Sequence, residues 1–193
     1  MMRRRSLVVL AAANFFADLG FVAYTSWIPK FLIASFDARG GSVIVIDSTF
    51  GIAIGFGGIG VLLAGILFDR IGGRKASLLG GFATTVLTFV LFSTNSLASA
   101  IWLVVATGFV FNWFWVLLTS MAQANVDRES QSLAISFVQT AGFVGAFLGP
   151  GLAGLMGGES GITSASLIAT VTVPYLAYSV ILLLAYRDPS KFS

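Results

Sequence analysis

Asp18 is the residue with the most chemistry in reach, because it is an acid alone inside an apolar run from Leu7 to Ile28. It lies about 12 residues past the basic start of that run, hence ~18 Å deep and near the middle of a bilayer. A carboxylate there costs at least ~2.5–3.5 kcal/mol, so Asp18 must face a polar cavity or carry a proton. Two roles meet that demand: a group that loads and releases a proton during a cycle, or a structural acid hydrogen-bonded to a neighbouring helix. Asn14 sits one turn below on the same face. Tyr24, Thr25 and Trp27 lie toward the other end, as ligand contacts or as headgroup-level anchors.

A second polar group stands at Asn112, Trp113, Trp115 and Thr119, where residues 112, 115 and 119 share one helical face. An amide beside aromatic planes suits ligand binding, and equally suits helix–helix packing with the amide as glue. Gln139 and Thr140 offer weaker chemistry of the same kind. No Arg, Lys or His falls inside any apolar run, so no cationic clamp for a phosphate or carboxylate is expected. Hydrolysis would call for paired acids or a Ser/His pair. With one deep carboxylate, no His and no Cys, the sequence predicts no enzyme, no metal site and no cofactor.

These residues must be held by membrane helices. The chain has 193 residues, 57% hydrophobic and 10% charged, against roughly 25% charged in a soluble domain. Spans are predicted at about 7–29, 48–68, 77–93, 100–122, 132–156 and 165–186, forming one six-helix transmembrane domain over 1–193. Ala11-Ala12-Ala13 could imitate a signal-peptide cleavage site, but the run continues to Trp27 and Pro29, so it is read as the first span. With the N-terminus in the cytoplasm, Arg3, Arg4, Arg5, Arg70, Arg74, Lys75, Arg128, Arg187 and Lys191 fall inside and only Lys30 and Arg39 outside. The positive-inside rule therefore predicts that both termini are cytoplasmic.

Helices in lipid associate through small residues that let backbones approach. Gly51, Gly55, Gly58 and Gly65 in the second span, and Gly142, Gly145, Gly149 and Gly154 in the fifth, are the expected packing stripes. The third and sixth spans, rich in Leu, Val, Thr and Phe, are expected to face lipid. Gly55-Phe56-Gly57-Gly58-Ile59-Gly60 matches a dinucleotide fingerprint, which needs a strand before it and an exposed helix start after it. Mid-span it reads as packing. The Arg3-Arg4-Arg5 run reads as a topology anchor, and no nucleic-acid partner is expected.

Between the second and third spans stands a hydrophilic knot, Gly65-Ile66-Leu67-Phe68-Asp69-Arg70-Ile71-Gly72-Gly73-Arg74-Lys75. Asp69 falls at a helix C-terminus, where the exposed carbonyls repel a carboxylate. It needs compensation from Arg70, Arg74 or the amide-rich start of another helix; otherwise the knot is a basic loop with an incidental acid. The pattern formed by Gly65, Asp69, Arg70, Gly72, Arg74 and Lys75 resembles the loop signature of the major facilitator superfamily, with Gly73 where a base is usual. The resemblance implies a loop that braces one half of a transporter against the other and helps set the inward/outward equilibrium. Gly145, Gly149, Pro150 and Gly154 resemble a second signature of that superfamily near its fifth helix, associated with proton antiporters; Ala153-Gly154 replaces its terminal Gly-Gly pair. Pro150 itself is expected to kink its helix.

The resemblance implies an all-α membrane protein of six transmembrane helices, one half bundle of the superfamily, the N-terminal half being the better match. Several proton-coupled members carry an acid on the first helix, and Asp18 is similar in placement. The Arg that proton:drug antiporters carry in the fourth helix is missing here. The implied activity is secondary active transport of a small solute across the cell membrane, proton-coupled through Asp18. Asn14, Asn112, Trp113, Trp115 and Gln139 are the candidate substrate contacts. The alternative is a membrane assembly subunit, or an inactive fragment of a split transporter, that moves nothing. Six helices leave the cavity face unsealed, so the expected partners are lipid, the solute, and either a second copy related by a C2 operation or a separate C-terminal half. In a C2 pair, Asp69 is expected to cap the partner's fifth span near Ser130 to Ser132.

Overall fold

The computed structural model describes residues 2–37, 41–158 and 161–187. The bases Arg39 and Lys191, and the side chains of Arg3 and Arg4, lie outside the described residues. The helices are α1 (Met2–Ser35), α2 (Gly41–Ile71), α3 (Gly73–Ser93), α4 (Leu97–Phe111), α5 (Trp113–Ala124), α6 (Gln131–Gly157), α7 (Ser164–Leu167) and α8 (Val173–Ala185). Six segments are long and apolar enough to cross a membrane: Arg5–Ser35, Ser42–Ile71, Gly73–Ser93, Leu97–Ala124, Arg128–Gly157 and Ser164–Ala185. The fourth joins α4 to α5 at Asn112, and the sixth joins α7 to α8 through a π-helical turn, Ile168–Thr172. That turn immediately precedes Pro174, which has no N–H to give the preceding turn, and a wider turn absorbs the missing bond.

The spans are longer than the sequence suggests. The first continues through Pro29 to Ser35, because neighbouring helices can re-satisfy the carbonyl that a membrane proline frees. The second reaches Ile71 and the third starts at Gly73, so the expected loop shrinks to Gly72. Gly72 takes φ 85°, a value that side-chain-bearing residues rarely adopt. Gly73 has a different reason: a Cβ there would lie 2.6 Å from Met121 Cγ and 2.7 Å from a Phe68 ring carbon. A long base at that position would not fit.

The first span packs on the fifth and sixth, the third on the sixth and fourth, and the fourth on the second. Polar side chains turn inward: Asn14, Asp18, Ser77, Thr84, Thr88, Thr107, Thr170, Thr172 and Ser179 are all buried. Leu, Ile, Val and Phe cover the outside, which is the arrangement that lipid favours. The third and sixth spans each keep an apolar outer face, with Leu79, Val86 and Phe89 on one and Val173, Leu183 and Leu184 on the other. They meet where Thr172 Oγ1 donates to Thr88 Oγ1 at 3.0 Å. The second and fifth are the spans least covered inside the bundle.

The two expected glycine stripes part company. On the fifth span, a Cβ at Gly145 would strike the Phe15 carbonyl and one at Gly149 the Leu19 carbonyl, so these glycines let the backbones of the first and fifth spans touch. Gly154 lies one step round, with the Trp27 ring 3.5 Å from where its Cβ would be. On the second span the expectation fails: around Gly51, Gly55, Gly58 and Gly65 the space is open. Ala53, Gly57, Gly60 and Ala64 are the buried small face instead. Gly57 lies against Gly108 and Asn112, and Gly60 against Phe109 and Trp113. Gly55 and Gly57 are two residues apart, hence about 200° round the helix, and spacing alone cannot choose between the two faces.

Arg74, in the first turn of the third span, donates from Nε to Leu182 O at 3.3 Å and from Nη2 to Leu183 O. A guanidinium at a helix C-terminus satisfies orphan carbonyls and opposes the negative end of the dipole. Arg74→Gln is expected to cost about 1–2 kcal/mol, read as a lower midpoint of thermal unfolding in detergent.

Candidate functional site

Asp18 is 4% exposed and looks into the bundle interior. Gly142 of the fifth span makes the room: a Cβ there would collide with both Asp18 Oδ2 and Asn14 Nδ2. Asn14 Nδ2 donates to Val138 O at 3.1 Å and to Gln139 Oε1 at 3.3 Å. Gln139 Nε2 in turn donates to Thr119 Oγ1 at 3.3 Å. The first, fifth and fourth spans are thus stitched by a polar chain that runs from the buried Asp18 corner to the half-buried Gln139 and Thr119. Asp18 Oδ2 itself has no hydrogen-bond partner. A buried acceptor left unpaired is costly, and in a native fold it calls for an explanation.

On its other side Asp18 is within electrostatic reach of Tyr175 in the sixth span, and Tyr175 within reach of Tyr24 and Tyr178. Aromatic rings build this wall. Phe111 stands 4.5 Å from Tyr24 and 5.1 Å from Tyr175, and Phe114 stands 4.9 Å from Tyr175 and 4.8 Å from Tyr178, between ring centroids. The hydroxyls of Tyr24 and Tyr178 approach Thr107 and Ser77 without closing a hydrogen bond. The Tyr175 hydroxyl is also buried and unpaired. One carboxyl oxygen and three phenol oxygens therefore share the interior of the bundle.

The remaining candidates are placed apart from Asp18. Asn112 and Trp113 lie against Gly57 and Gly60 of the second span, with the Trp113 indole N–H buried and unpaired. Trp115 is 40% exposed: two residues past Trp113 in the same helix, it points about 200° away from it. Trp27 donates from Nε1 to Pro150 O at 3.0 Å, tying the first span to the proline of the fifth. Its ring also carries Lys30 Nζ 5.0 Å from the centroid. Tyr24 is buried, not a headgroup anchor.

Asp69 lines a cavity of about 380 Å³ with Gly65, Phe68, Ser120, Gln123, Ala124 and Gln131. Gln131, the first residue of α6, borders the same cavity. Arg70 and Lys75 occupy the helix ends on either side of Gly72. Sequence reasoning missed Tyr175 and Tyr178. The available signal was two tyrosines three apart, on one helical face, in an otherwise aliphatic span.

Six apolar helices with polar groups turned inward, among them a buried acid, are the architecture of one half of a membrane transporter. The sequence matches the Major Facilitator Superfamily over residues 10–192. The chain belongs to that family, and is an integral membrane protein of the transporter class. No curated protein matches it closely enough to be named as a relative.

Proposed function

We propose that this chain moves a small solute, unchanged, across the cell membrane by alternating access, with proton movement as the driving force and Asp18 as the proton site. Both termini face the cytoplasm in this reading. The observation that carries it is the unpaired, buried carboxyl oxygen of Asp18 at the end of the Asn14–Gln139–Thr119 chain. A proton on Oδ2 removes the buried charge and turns an acceptor into a donor. That changes what the first span can hold on the fifth and sixth, which is the kind of local event that biases a two-state bundle. Among the described residues the bases of the spans, Arg5, Lys30, Arg70, Arg74, Lys75 and Arg128, lie toward the span ends and not at mid-span, so a neutral or weakly ionised solute fits best.

The other half of the pathway comes from a second six-helix unit: a second copy in C2 arrangement, or a separate C-terminal half. The open faces of the second and fifth spans support this requirement. A second reading, an assembly subunit that transports nothing, draws support from the depth of Asp18, which is sealed within its own bundle. Uptake into proteoliposomes separates the two. With an imposed pH gradient and a panel of small neutral solutes, the expected result is one solute concentrated inside and a matching collapse of the gradient. Solute that only equilibrates, at a rate indifferent to pH, rules out proton coupling.

A further inference from the structure

Beside the transport path, a cavity of about 320 Å³ opens between the start of the first span and the end of the sixth, lined by Arg5, Ser6, Leu184, Ala185 and Arg187. We propose that it binds the phosphate of an anionic membrane phospholipid. Both guanidiniums border one cavity, and no acid among the described residues lines it. Arginine presents donors in a planar fork that suits phosphate oxygens two at a time, which makes it a better phosphate ligand than a point charge. Arg5 and Ser6 also lie in the opening turns of α1, whose amide end favours an anion.

The opposite wall would repel an anion if the carbonyls ending the sixth span were bare. Arg74 already holds two of them, Leu182 O and Leu183 O, which offsets the negative end of that helix. The wall is also fixed in place. Tyr186, 1% exposed, accepts at its hydroxyl from Asn125 Nδ2 at 2.8 Å, which pins the backbone next to Arg187.

Phosphate could come from solution or from a lipid, and Leu184 decides for the lipid. It lines the same cavity and is 79% exposed. Val8, 58% exposed, lies one turn further along the first span. A free anion gains nothing from this apolar rim, whereas a glycerolipid sets its headgroup on the arginines and its chains along the rim. Basic pockets between helices at the headgroup level have this chemistry in general.

The test uses the full chain, purified and stripped of lipid, then offered phosphatidylglycerol or phosphatidylcholine at equal concentration, with retained lipid counted by native mass spectrometry. Phosphatidylglycerol is expected to be retained about ten-fold better, at several-fold per arginine. Arg5→Gln with Arg187→Gln should reduce it to the phosphatidylcholine level, while Lys30→Gln, toward the other end of the first span, should change nothing. Equal retention of the two lipids, or full retention by the double variant, overturns the proposal. Inorganic phosphate is the second arm: if it displaces phosphatidylglycerol completely, the site is one for free anions and the lipid assignment fails. Should the double variant not fold, wild-type retention is followed as salt rises from about 0.05 to about 0.5 M. A several-fold fall supports the arginine contact, and no change sinks it.

Discussion

Asp18→Asn is expected to leave the bundle folded and to abolish uphill transport. The amide has nearly the shape of the acid, so the crowding at Gly142 and the neighbouring rings are kept, but it cannot exchange a proton in the working range. One pH unit sustains about ten-fold accumulation in a one-proton symport, and that gradient should fall to equilibrium in the variant. Downhill exchange across the same vesicles should persist, since the solute path is untouched. If instead Asp18 only braces the bundle, Asp18→Asn lowers the unfolding temperature and leaves pH-driven accumulation in place. Measuring both quantities on one preparation tells a motor from a brace.

Gly145→Ala is the second large effect, and it acts on the fold. The added methyl would strike the Phe15 carbonyl and stand 3.2 Å from Leu19 N. These are backbone atoms of a packed helix, so relief requires the first and fifth spans to separate along their length. Overpacking of this kind costs about 3 kcal/mol or more. Separation would also pull Asn14 from Val138 and Gln139. A sharp fall in thermal midpoint is the expected readout, with Gly149→Ala behaving alike. Gly55→Ala is the control. Its Cβ would meet nothing within 4 Å, so the six-helix unit should keep its stability, and any effect should appear only in assembly. Equal losses at Gly145 and Gly55 would contradict the packing described.

The contrast between those glycines shows what a linear sequence carries. Apolar runs give the number and order of membrane spans, because a helix satisfies the backbone groups of such a run within the run itself. Ends are less legible. Pro29 reads as a stop, yet the helix passes through it to Ser35, because the stop depends on neighbours that the sequence does not display. The face a helix turns inward is a matter of phase. The second span holds two sets of small residues about 200° apart, and only the fourth span, through Gly108 and Asn112, selects the one it meets.

At the site, the common face of Asp18 and Asn14 could be read from spacing along one helix, and both are buried. Gln139 was legible as a polar residue in the fifth span, though not as the partner of Asn14, since that contact joins residues 125 positions apart. Tyr175 and Tyr178 were passed over because a tyrosine in a span reads equally as a membrane anchor or as core. Both are fully buried, and Tyr175 is within electrostatic reach of Asp18, a contact between residues far apart in the chain that spacing along one helix does not display. Asn112 and Trp115 are three residues apart, yet Asn112 meets Gly57 while Trp115 is 40% exposed, a difference in cover that spacing along one helix does not display.

The central claim is that these six helices are one half of a machine completed by a second six-helix unit, and the mass of the transport-competent particle, taken by native mass spectrometry from lipid, tests it most directly. In the C2 reading the particle has twice the mass of this chain and Asp69→Asn shifts it toward the single chain, with accumulation lost in step. A particle holding one copy of the chain, with no second six-helix unit, that still concentrates solute against its gradient would contradict the account.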